Sequence, residues 1–407
     1  MFEIMKRKDI IRQIIIVLAG AVLTTACSSS DKEEEVTQPA KRTVLVYMAA
    51  ENNLTSNAQS DINEMIKGVK KISKWDHLIV FVDRMTEKPF IIRLRNNDQQ
   101  PADTLKKYEN DFIGSDPERM KEVMSWVMQN YPANDYGLVI WGHANGWVIM
   151  NDSVAVRRAI AQDDGVDTSS KRYFMNIPTL RTTLQSLPHT FKFIFADCCN
   201  MQNVEVAYEL KDVTQYVIAS AAGIPDDGAP YEAIIPDLFN YIDQQMCQQT
   251  CADYYAKIDH EGYHLPIAAV RTDCIQQLAT ATRKLLSSIY QQGTNINTDG
   301  MIYYYRDNYG AHLMYDINDF MIRHSPSETE YMEWKHAFDA ILVANKKSMK
   351  WETQGTLDWD FTPTEERFGG MSMLIPLARY DNTLLKYNEL IKKMGWYQAV
   401  GWSELGW

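Results

Sequence analysis

The chain has 407 residues, of which 45% are hydrophobic and 11% aromatic, so it is long enough for one large α/β core with an appended part. Its formal net charge is −12, and no basic run longer than a pair occurs outside the extreme N-terminus. These two features argue against nonspecific binding to nucleic acid.

The first 26 residues read as a signal peptide. Basic residues between positions 6 and 12 precede an apolar stretch from Ile14 to Leu23, which is shorter than a membrane-spanning helix. Cys27 follows and resembles the lipidated cysteine of bacterial lipoproteins, although Leu23 lies one place too early for the strict pattern. Residues 27–40 form an acidic tether resembling the export tag of surface lipoproteins in the Bacteroides group, or else a plain solvated linker. We therefore expect an exported protein, lipid-anchored to the outer membrane and facing the surface.

Alternating apolar runs and amphipathic patterns follow the tether, and they predict a mostly parallel sheet with helices on both faces. The predicted strands are Val44 to Ala49, His77 to Val82, Phe90 to Leu94, Gly137 to Trp141, Phe191 to Ala196, Tyr216 to Ser220 and Pro266 to Val270. The predicted helices are Ser56 to Val69, Pro117 to Tyr131, Met201 to Leu210, Tyr231 to Gln245 and Asp273 to Tyr290. Residues 41–292 would form this α/β domain, and residues 293–407 a C-terminal, mainly helical subdomain.

Two of these strands end on residues that carry chemistry. His143 follows the strand ending at Trp141, and Cys198 and Cys199 follow the strand ending at Ala196. Side chains just past the carboxyl ends of parallel strands open onto the crevice where α/β proteins bind ligands. An imidazole beside a cysteine lowers the pKa of the thiol and makes it a nucleophile. Asn200 as the N-cap of the next helix would add the helix dipole, but these arguments leave the choice between Cys198 and Cys199 open.

The two segments resemble those of the clostripain family of cysteine peptidases, which have a caspase-like fold. That family has an apolar strand ending in His-Gly, and a later strand ending in Asp-Ala-Cys-Leu-Met before a Glu-Val-Ala-Tyr-Glu-Leu-like helix. Asp197 to Met201 and Val204 to Leu210 are similar to the second pattern. The resemblance implies a Cys-His dyad of Cys199 and His143, with the N–H groups of Ala144 and Cys199 as the oxyanion hole. It implies no cofactor, and the sequence does not decide whether calcium is required.

The substrate preference follows from acidic residues near the expected nucleophile. Asp197 precedes Cys199 by two residues, and the loop after the next strand brings Asp226 and Asp227 to the same edge of the sheet. A carboxylate at the base of a pocket selects a cationic side chain, which predicts cleavage of peptides after Arg and, less strongly, Lys. The resemblance implies the same preference. The alternative is that these aspartates only cap loops.

Three further features bear on function. Arg158 ends a dibasic pair between the two catalytic strands and is a candidate site of self-cleavage. The segment from His260 to His264 fits the zinc motif H-E-x-x-H, but Gly262 within it and Pro266 after it favour a loop, so no metal site is predicted. Ala144 stands where the family has Gly, which keeps open a second hypothesis: a catalytically inactive, caspase-like surface lipoprotein that only binds.

Overall fold

Parallel strands that are buried on both faces form the middle of the molecule. The computed structural model describes residues 39–85, 87–149, 160–165, 173–260, 265–291, 296–307, 310–348, 350–351 and 361–407. The predicted lipidation site Cys27 and the predicted cleavage site Arg158 lie outside these ranges, as do residues 261–264 of the zinc-like motif. Residues 39–407 form one compact unit.

The strands are β1 (Ala40–Ala50), β2 (His77–Arg84), β3 (Glu87–Leu94), β4 (Ala102–Lys107), β5 (Ala133–Trp141), β6 (Ile160–Asp163), β7 (Tyr173–Met175), β8 (Phe191–Asp197), β9 (Thr214–Ala219), β10 (Ile267–Arg271), β11 (Tyr303–Arg306), β12 (His312–Asp316), β13 (Leu342–Lys346) and β14 (Ser372–Met373). The helices are α1 (Thr55–Gly68), α2 (Pro117–Asn130), α3 (Ile177–Gln185), α4 (Val204–Leu210), α5 (Tyr231–Leu238), α6 (Asp243–His260), α7 (Ile275–Gln291), α8 (Ile317–His324), α9 (Glu328–Ile341), α10 (Tyr387–Ile391) and α11 (Gly395–Ala399).

The main sheet has the strand order β13-β10-β9-β8-β5-β1-β2-β3-β4 in the described residues. The five central strands, from β9 to β2, pair in parallel, and the strands at both edges add in antiparallel orientation. Both faces of such a sheet are covered, so its strands are continuous apolar runs; every residue of β1 from Val44 to Ala50 is at most 3% exposed. The predicted fold class, a caspase-like, mostly parallel α/β sheet, is confirmed.

The register of the central strands sets the position of the site. Met48 of β1 pairs with Trp141 of β5, and Trp141 pairs with Asp197 of β8. The three strands therefore end at nearly the same level. The segments that follow, starting at Glu51, Gly142 and Cys198, leave the sheet along one edge.

Two segments differ from the predicted pattern. The helix predicted from Tyr231 to Gln245 is interrupted, since α5 ends at Leu238 and α6 begins at Asp243. Between them, the side chain of Asn240 accepts a hydrogen bond from the Ile242 N–H (3.0 Å) and competes with the helical hydrogen-bond pattern. The C-terminal part contains strands as well as helices. One of them, β13, pairs with β10 in the main sheet, so the division at 292/293 stays a prediction within one compact unit.

In the part of the chain that the structure describes, no helix combines the length and the apolar character needed to cross a membrane.

Candidate active site

The loop after β5 begins with a glycine that the structure requires. Gly142 has φ +137°, and a Cβ there would lie 2.9 Å from the carbonyl oxygen of Ala49. Its N–H donates to the carbonyl of Asp197 (3.3 Å), which ties the end of β5 to the end of β8. The next residue, His143, is 6% exposed, and its carbonyl accepts a hydrogen bond from the Ala161 N–H of β6 (3.0 Å). The imidazole is therefore held at the edge of the sheet where β8 ends.

The imidazole has a partner that the sequence analysis did not identify. Nε2 of His143 lies 2.8 Å from Oδ1 of Asn53, in the loop that follows β1. An amide oxygen only accepts hydrogen bonds, so with this amide orientation Nε2 carries the proton and Nδ1 is the basic nitrogen. Asn53 thus selects the tautomer of His143. Its position after a strand that ends beside β5 is the only signal that the sequence carries for this role.

The two adjacent cysteines have opposite environments. Cys198 is 1% exposed, with Sγ 3.8 Å from the carbonyl oxygen of Ile140, and burial raises the pKa of its thiol well above the usual value. Cys199 is only partly buried, and the Ile224 N–H points at its Sγ from 3.4 Å. An N–H donor favours a thiolate, whereas burial without a charge partner disfavours one. Of the two thiols, Cys199 therefore has the environment that favours a thiolate.

The helix after Cys199 begins later than predicted, so the predicted support from its dipole is wrong. Helix α4 starts at Val204 and is capped by Asn203, whose side chain accepts from the Val206 N–H (3.1 Å). Asn200 instead has left-handed backbone (φ +59°), and its amide donates to the carbonyl of Ala221 (2.9 Å). Cys199 lies in this turn, and the backbone N–H of Ile224 rather than a helix end points at its sulfur.

A second glycine brings the two loops together. Gly146 has φ +56°, and a Cβ there would lie 2.5 Å from both the carbonyl oxygen of Asn200 and the Asn203 side-chain nitrogen. The loop that carries His143 therefore packs directly on the turn that carries Cys199. Ala144 is buried and is not among the residues with positive φ, so alanine occupies the family's glycine position without backbone strain.

A pair of buried carboxylates adjoins this turn. Asp197 is 3% exposed. Its Oδ2 accepts hydrogen bonds from Tyr231 OH (2.7 Å) and the Ala229 N–H (3.1 Å). Its Oδ1 is buried and has no hydrogen-bond partner among the described residues. Asp61 of α1 is 2% exposed and accepts from Trp141 Nε1 (2.6 Å). A Cβ on Gly228 would lie 2.8 Å from Oδ2 of Asp61 and 3.3 Å from Oδ2 of Asp197. Both carboxylates thus face the same small space.

Burial separates the charge states of the two carboxylates. It raises the pKa of Asp61 to about 9, with the charges of Asp197 and Asp227 adding to the effect. Burial also raises the pKa of Asp197, but the hydrogen bonds from Tyr231 and Ala229 hold it at about 6. Near pH 7 the pair therefore holds about one negative charge.

The structure brings together most of the residues that the sequence singled out. Asp226 and Asp227 are exposed, and the loop is anchored to α1 by the Asn57 side chain, which donates to the carbonyl of Asp226 (2.8 Å). The sequence analysis missed Asp61. The signal that could have identified it is a carboxylate within the apolar stripe of α1, where Ala58, Ile62 and Met65 are its buried neighbours.

Comparisons with known proteins agree with this geometry. A model of the clostripain family, peptidase family C11, matches residues 46–407. Clostripain from Hathewaya histolytica is 28% identical over 197 residues, an alignment that covers 42% of this chain and 36% of clostripain. The match thus spans about a third of that relative's length.

Solved structures show the same fold. A secreted C11 cysteine protease from Bacteroides thetaiotaomicron, in complex with an irreversible peptide inhibitor, is 26% identical, covers 90% of this chain and 100% of its own, and superposes with a TM-score of 0.74. An inactive zymogen of a C11 protease from Parabacteroides distasonis is 23% identical and covers 89% of this chain and 99% of its own, with a TM-score of 0.73. Because the family model spans nearly the whole described chain, the protein belongs to the clostripain family of cysteine peptidases.

Proposed function

We propose that this protein is a cysteine endopeptidase that cleaves after Arg and, less strongly, after Lys. The observation that carries the proposal is the buried, unpaired Oδ1 of Asp197, two residues from the partly exposed sulfur of Cys199. A desolvated carboxylate oxygen without a partner is costly unless a ligand pairs with it. A cationic substrate side chain supplies that partner. Arg is favoured over Lys because its planar fork can reach both Asp197 and Asp61.

The chemistry follows from the two loops. Nδ1 of His143 takes the proton of the Cys199 thiol, and the thiolate attacks the carbonyl carbon of the scissile peptide bond. The N–H groups of Ala144 and Cys199 stabilise the resulting oxyanion. The imidazolium then protonates the leaving amine, and water hydrolyses the acyl-enzyme with His143 again acting as base. Asn53 keeps the imidazole in the tautomer that this cycle requires.

The alternative is an inactive binding protein of the same fold, and it rested on the alanine at position 144. The conformation of Ala144 removes the argument from backbone strain, and the Nε2-protonated tautomer that Asn53 favours leaves Nδ1 of His143 available as the base. We also propose export, because the Bacteroides relative is described as secreted. Lipidation at Cys27 and anchoring to the outer membrane belong to the same proposal and rest on the N-terminal sequence.

The test uses an Arg chloromethyl ketone, which alkylates a nucleophilic thiol beside a pocket for Arg. We expect wild type and Cys198→Ala to gain the mass of one inhibitor less HCl and to lose peptide hydrolysis, and Cys199→Ala to be neither labelled nor active. Cys198→Ala is the matched control because it removes the neighbouring thiol, which is buried. Labelling that persists in Cys199→Ala would assign the nucleophile elsewhere. An unlabelled, inactive wild type would favour the binding protein.

A further inference from the structure

Exposed apolar side chains gather at the end of the main sheet that lies away from Cys199. Six large hydrophobic side chains are exposed in the described residues, and three of them belong to two neighbouring loops. These are Trp75 (64% exposed), in the loop before β2, and Tyr241 (41%) and Ile242 (59%), in the loop between α5 and α6. Single exposed apolar residues are common, but a cluster of them marks an interaction surface.

Asp76 holds the two loops together. It is 4% exposed and accepts hydrogen bonds from the Arg42 N–H (3.0 Å) and from Tyr241 OH. Trp75 directly precedes Asp76 in the chain. The guanidinium of Arg42 donates to the carbonyl of Asn240, next to Tyr241 (3.0 Å). The loops are therefore fixed by buried contacts while their apolar side chains remain exposed.

Exposed lysines lie beside the two aromatic rings. The Lys74 Nζ lies 4.7 Å from the centre of the Trp75 ring, and the Lys41 Nζ lies 4.7 Å from the centre of the Tyr241 ring. Both lysines are exposed, and so is Lys71 in the segment that leads to Trp75. The surface thus combines aromatic rings with positive charge.

The acidic side chains beside these loops are engaged by other cations. Asp135, near the start of β5, accepts from the Arg42 guanidinium (2.6 Å), and Asp243, at the start of α6, pairs with Lys192 (3.1 Å). Asp76 is buried. The charge that this surface presents to solvent is therefore positive, although the whole chain carries −12.

This surface lies at the opposite end of the sheet from the candidate active site. Lys41 is at the start of β1 and Trp75 lies two residues before β2, whereas His143 and Cys199 follow the carboxyl ends of β5 and β8. Because a strand rises about 3.3 Å per residue, the length of β1 separates the two ends by about 30 Å. The chain enters the domain at the same end as the lysines, since β1 begins at Ala40.

We infer that these residues form a basic aromatic patch that binds the domain to an anionic lipid bilayer; the patch consists of Lys41, Lys71, Lys74, Trp75, Tyr241 and Ile242. Trp and Tyr favour the interface of a bilayer, where the ring lies among the headgroups and its polar atom reaches water. Ile242 adds apolar area, and the lysines attract anionic headgroups. Lysine is depleted in protein–protein interfaces, so a lipid surface suits this composition better than a protein partner.

The inference rests on the proposed anchoring at Cys27, which supplies the bilayer. The segment from Cys27 to Ala40 spans at most about 45 Å, so a lipid at Cys27 keeps the start of β1 near the membrane. Contact through the basic aromatic patch then directs the end of the sheet that carries Cys199 away from the bilayer, towards substrates in the surrounding medium.

The test uses the mature chain, residues 27–407, made without the signal peptide and carrying Cys27→Ser and Cys199→Ala. The first substitution removes the site of lipidation and the second prevents self-digestion, so the result depends neither on the anchor nor on peptidase activity. Binding is measured by sedimentation with vesicles of phosphatidylcholine, alone or mixed with phosphatidylglycerol. We expect binding to the anionic vesicles that weakens as salt is added, and much weaker binding to the neutral ones.

Insertion of the patch has its own signature in Trp fluorescence. Trp75 is the only exposed Trp in the part of the chain that the structure describes. Lipids with brominated acyl chains quench a Trp that enters the bilayer, so the anionic vesicles are also prepared with such lipids. We expect them to quench the parent protein but not Trp75→Phe, which keeps an aromatic ring and should still bind.

Two further variants measure the contributions to binding. Trp75→Ala should weaken the partition into anionic vesicles about tenfold, because it removes most of the apolar area of one loop. Lys41→Glu combined with Lys74→Glu should weaken it more than about tenfold at low salt. Thermal unfolding checks that each variant is folded.

The matched controls lie elsewhere on the surface. Met332→Ala removes another exposed apolar side chain (54% exposed), on α9 beside Glu328 and Glu333. Lys107→Glu combined with Lys386→Glu changes the charge by the same amount at two other exposed lysines. We expect both controls to bind like the parent protein.

The inference is overturned if the parent protein does not sediment with anionic vesicles, or if the patch variants bind as well as the controls. Binding without quenching of the parent protein would overturn the insertion of Trp75. A parent protein that forms dimers and ignores vesicles, with dimers lost in Trp75→Ala, would show that the patch joins two copies of the chain instead.

Discussion

Replacing Asp197 by Asn removes the charge from the proposed specificity pocket while changing its shape very little. The amide oxygen of Asn can still accept from Tyr231 OH and the Ala229 N–H, which now bond to Oδ2 of Asp197. The amide nitrogen then takes the place of the unpaired Oδ1, the oxygen that we expect to face the substrate. The substitution therefore puts a hydrogen-bond donor against a cation that is itself only a donor.

The size of the effect follows from the burial of Asp197, which is 3% exposed. Removing one partner of a desolvated ion pair costs about 3 to 5 kcal/mol, because the remaining charge stays buried without compensation. At about 1.4 kcal/mol for each factor of ten, kcat/KM for an Arg substrate should fall by a factor of about 10² to 10³ or more. Asp61 offsets little of this loss, because burial, the largest cause of its raised pKa, remains when the charge of Asp197 is removed.

The assay compares two fluorogenic peptides that differ only in Arg or citrulline before the scissile bond. Citrulline has nearly the shape of Arg but no charge, so it isolates the electrostatic contribution. We expect the Asp197→Asn enzyme to lose its preference for Arg while its kcat/KM for the citrulline peptide stays within a few-fold of wild type. Thermal unfolding of both proteins checks that the variant is folded.

A proportionate loss on both peptides would refute this reasoning. It would mean that Asp197 supports the turn of Cys199 through Tyr231 and Ala229 and does not contact the substrate. An unchanged preference for Arg would refute the assignment of the specificity pocket to Asp197 and would indicate that the exposed Asp226 and Asp227 select Arg instead.

Two further variants test the positioning of His143 and the cost of a buried acid. Asn53→Ala should lower kcat about tenfold with little change in KM, because the imidazole loses the partner that selects its tautomer. The exposed control Asn63→Ala should match wild type. An unchanged kcat in Asn53→Ala would remove Asn53 from the mechanism. Burial raises the pKa of Glu205 from 4.5 to about 8, so its stabilising contribution is fully present below about pH 4.5 and is lost as the pH rises towards 8. Urea unfolding across this range should show the free energy of unfolding of Glu205→Gln increasing relative to that of wild type as the pH rises, by up to about 1.4 kcal/mol per pKa unit. A difference that does not change with pH would contradict the argument.

The strands that carry the site are legible in the sequence for a physical reason. A parallel strand buried on both faces must be apolar throughout, so β1, β5 and β8 appear as unbroken hydrophobic runs and the first polar residue marks the edge of the sheet. His143 and Cys199 could therefore be placed at one edge before any coordinates. The short strands β11 and β14 lie among aromatic or irregular segments, and β13 follows α9 directly, so no break in the hydrophobic pattern marks where these strands begin.

The contacts between segments could not be read in this way. Asn200 and Asn203 are both good N-cap residues three positions apart, and the choice between them is made by the carbonyl of Ala221, to which the Asn200 side chain donates. Asn53 and Asp61 become functional candidates only when β1 and α1 lie beside the ends of β5 and β8. In each case the deciding partner is distant in sequence, and a single sequence contains no record of that pairing.

The loop after β1 links two features that are otherwise separate. Within three residues, Glu51 lies beside the carboxylates of Asp83 and Asp111, and Asn53 contacts His143. The proposed pocket for the substrate side chain is built from different elements, with Asp197 at the end of β8 and Asp61 on α1. Selectivity for the substrate side chain and positioning of the base therefore depend on different parts of the scaffold. Because the parallel strands end at one level, both parts converge on Cys199 although no single element carries them.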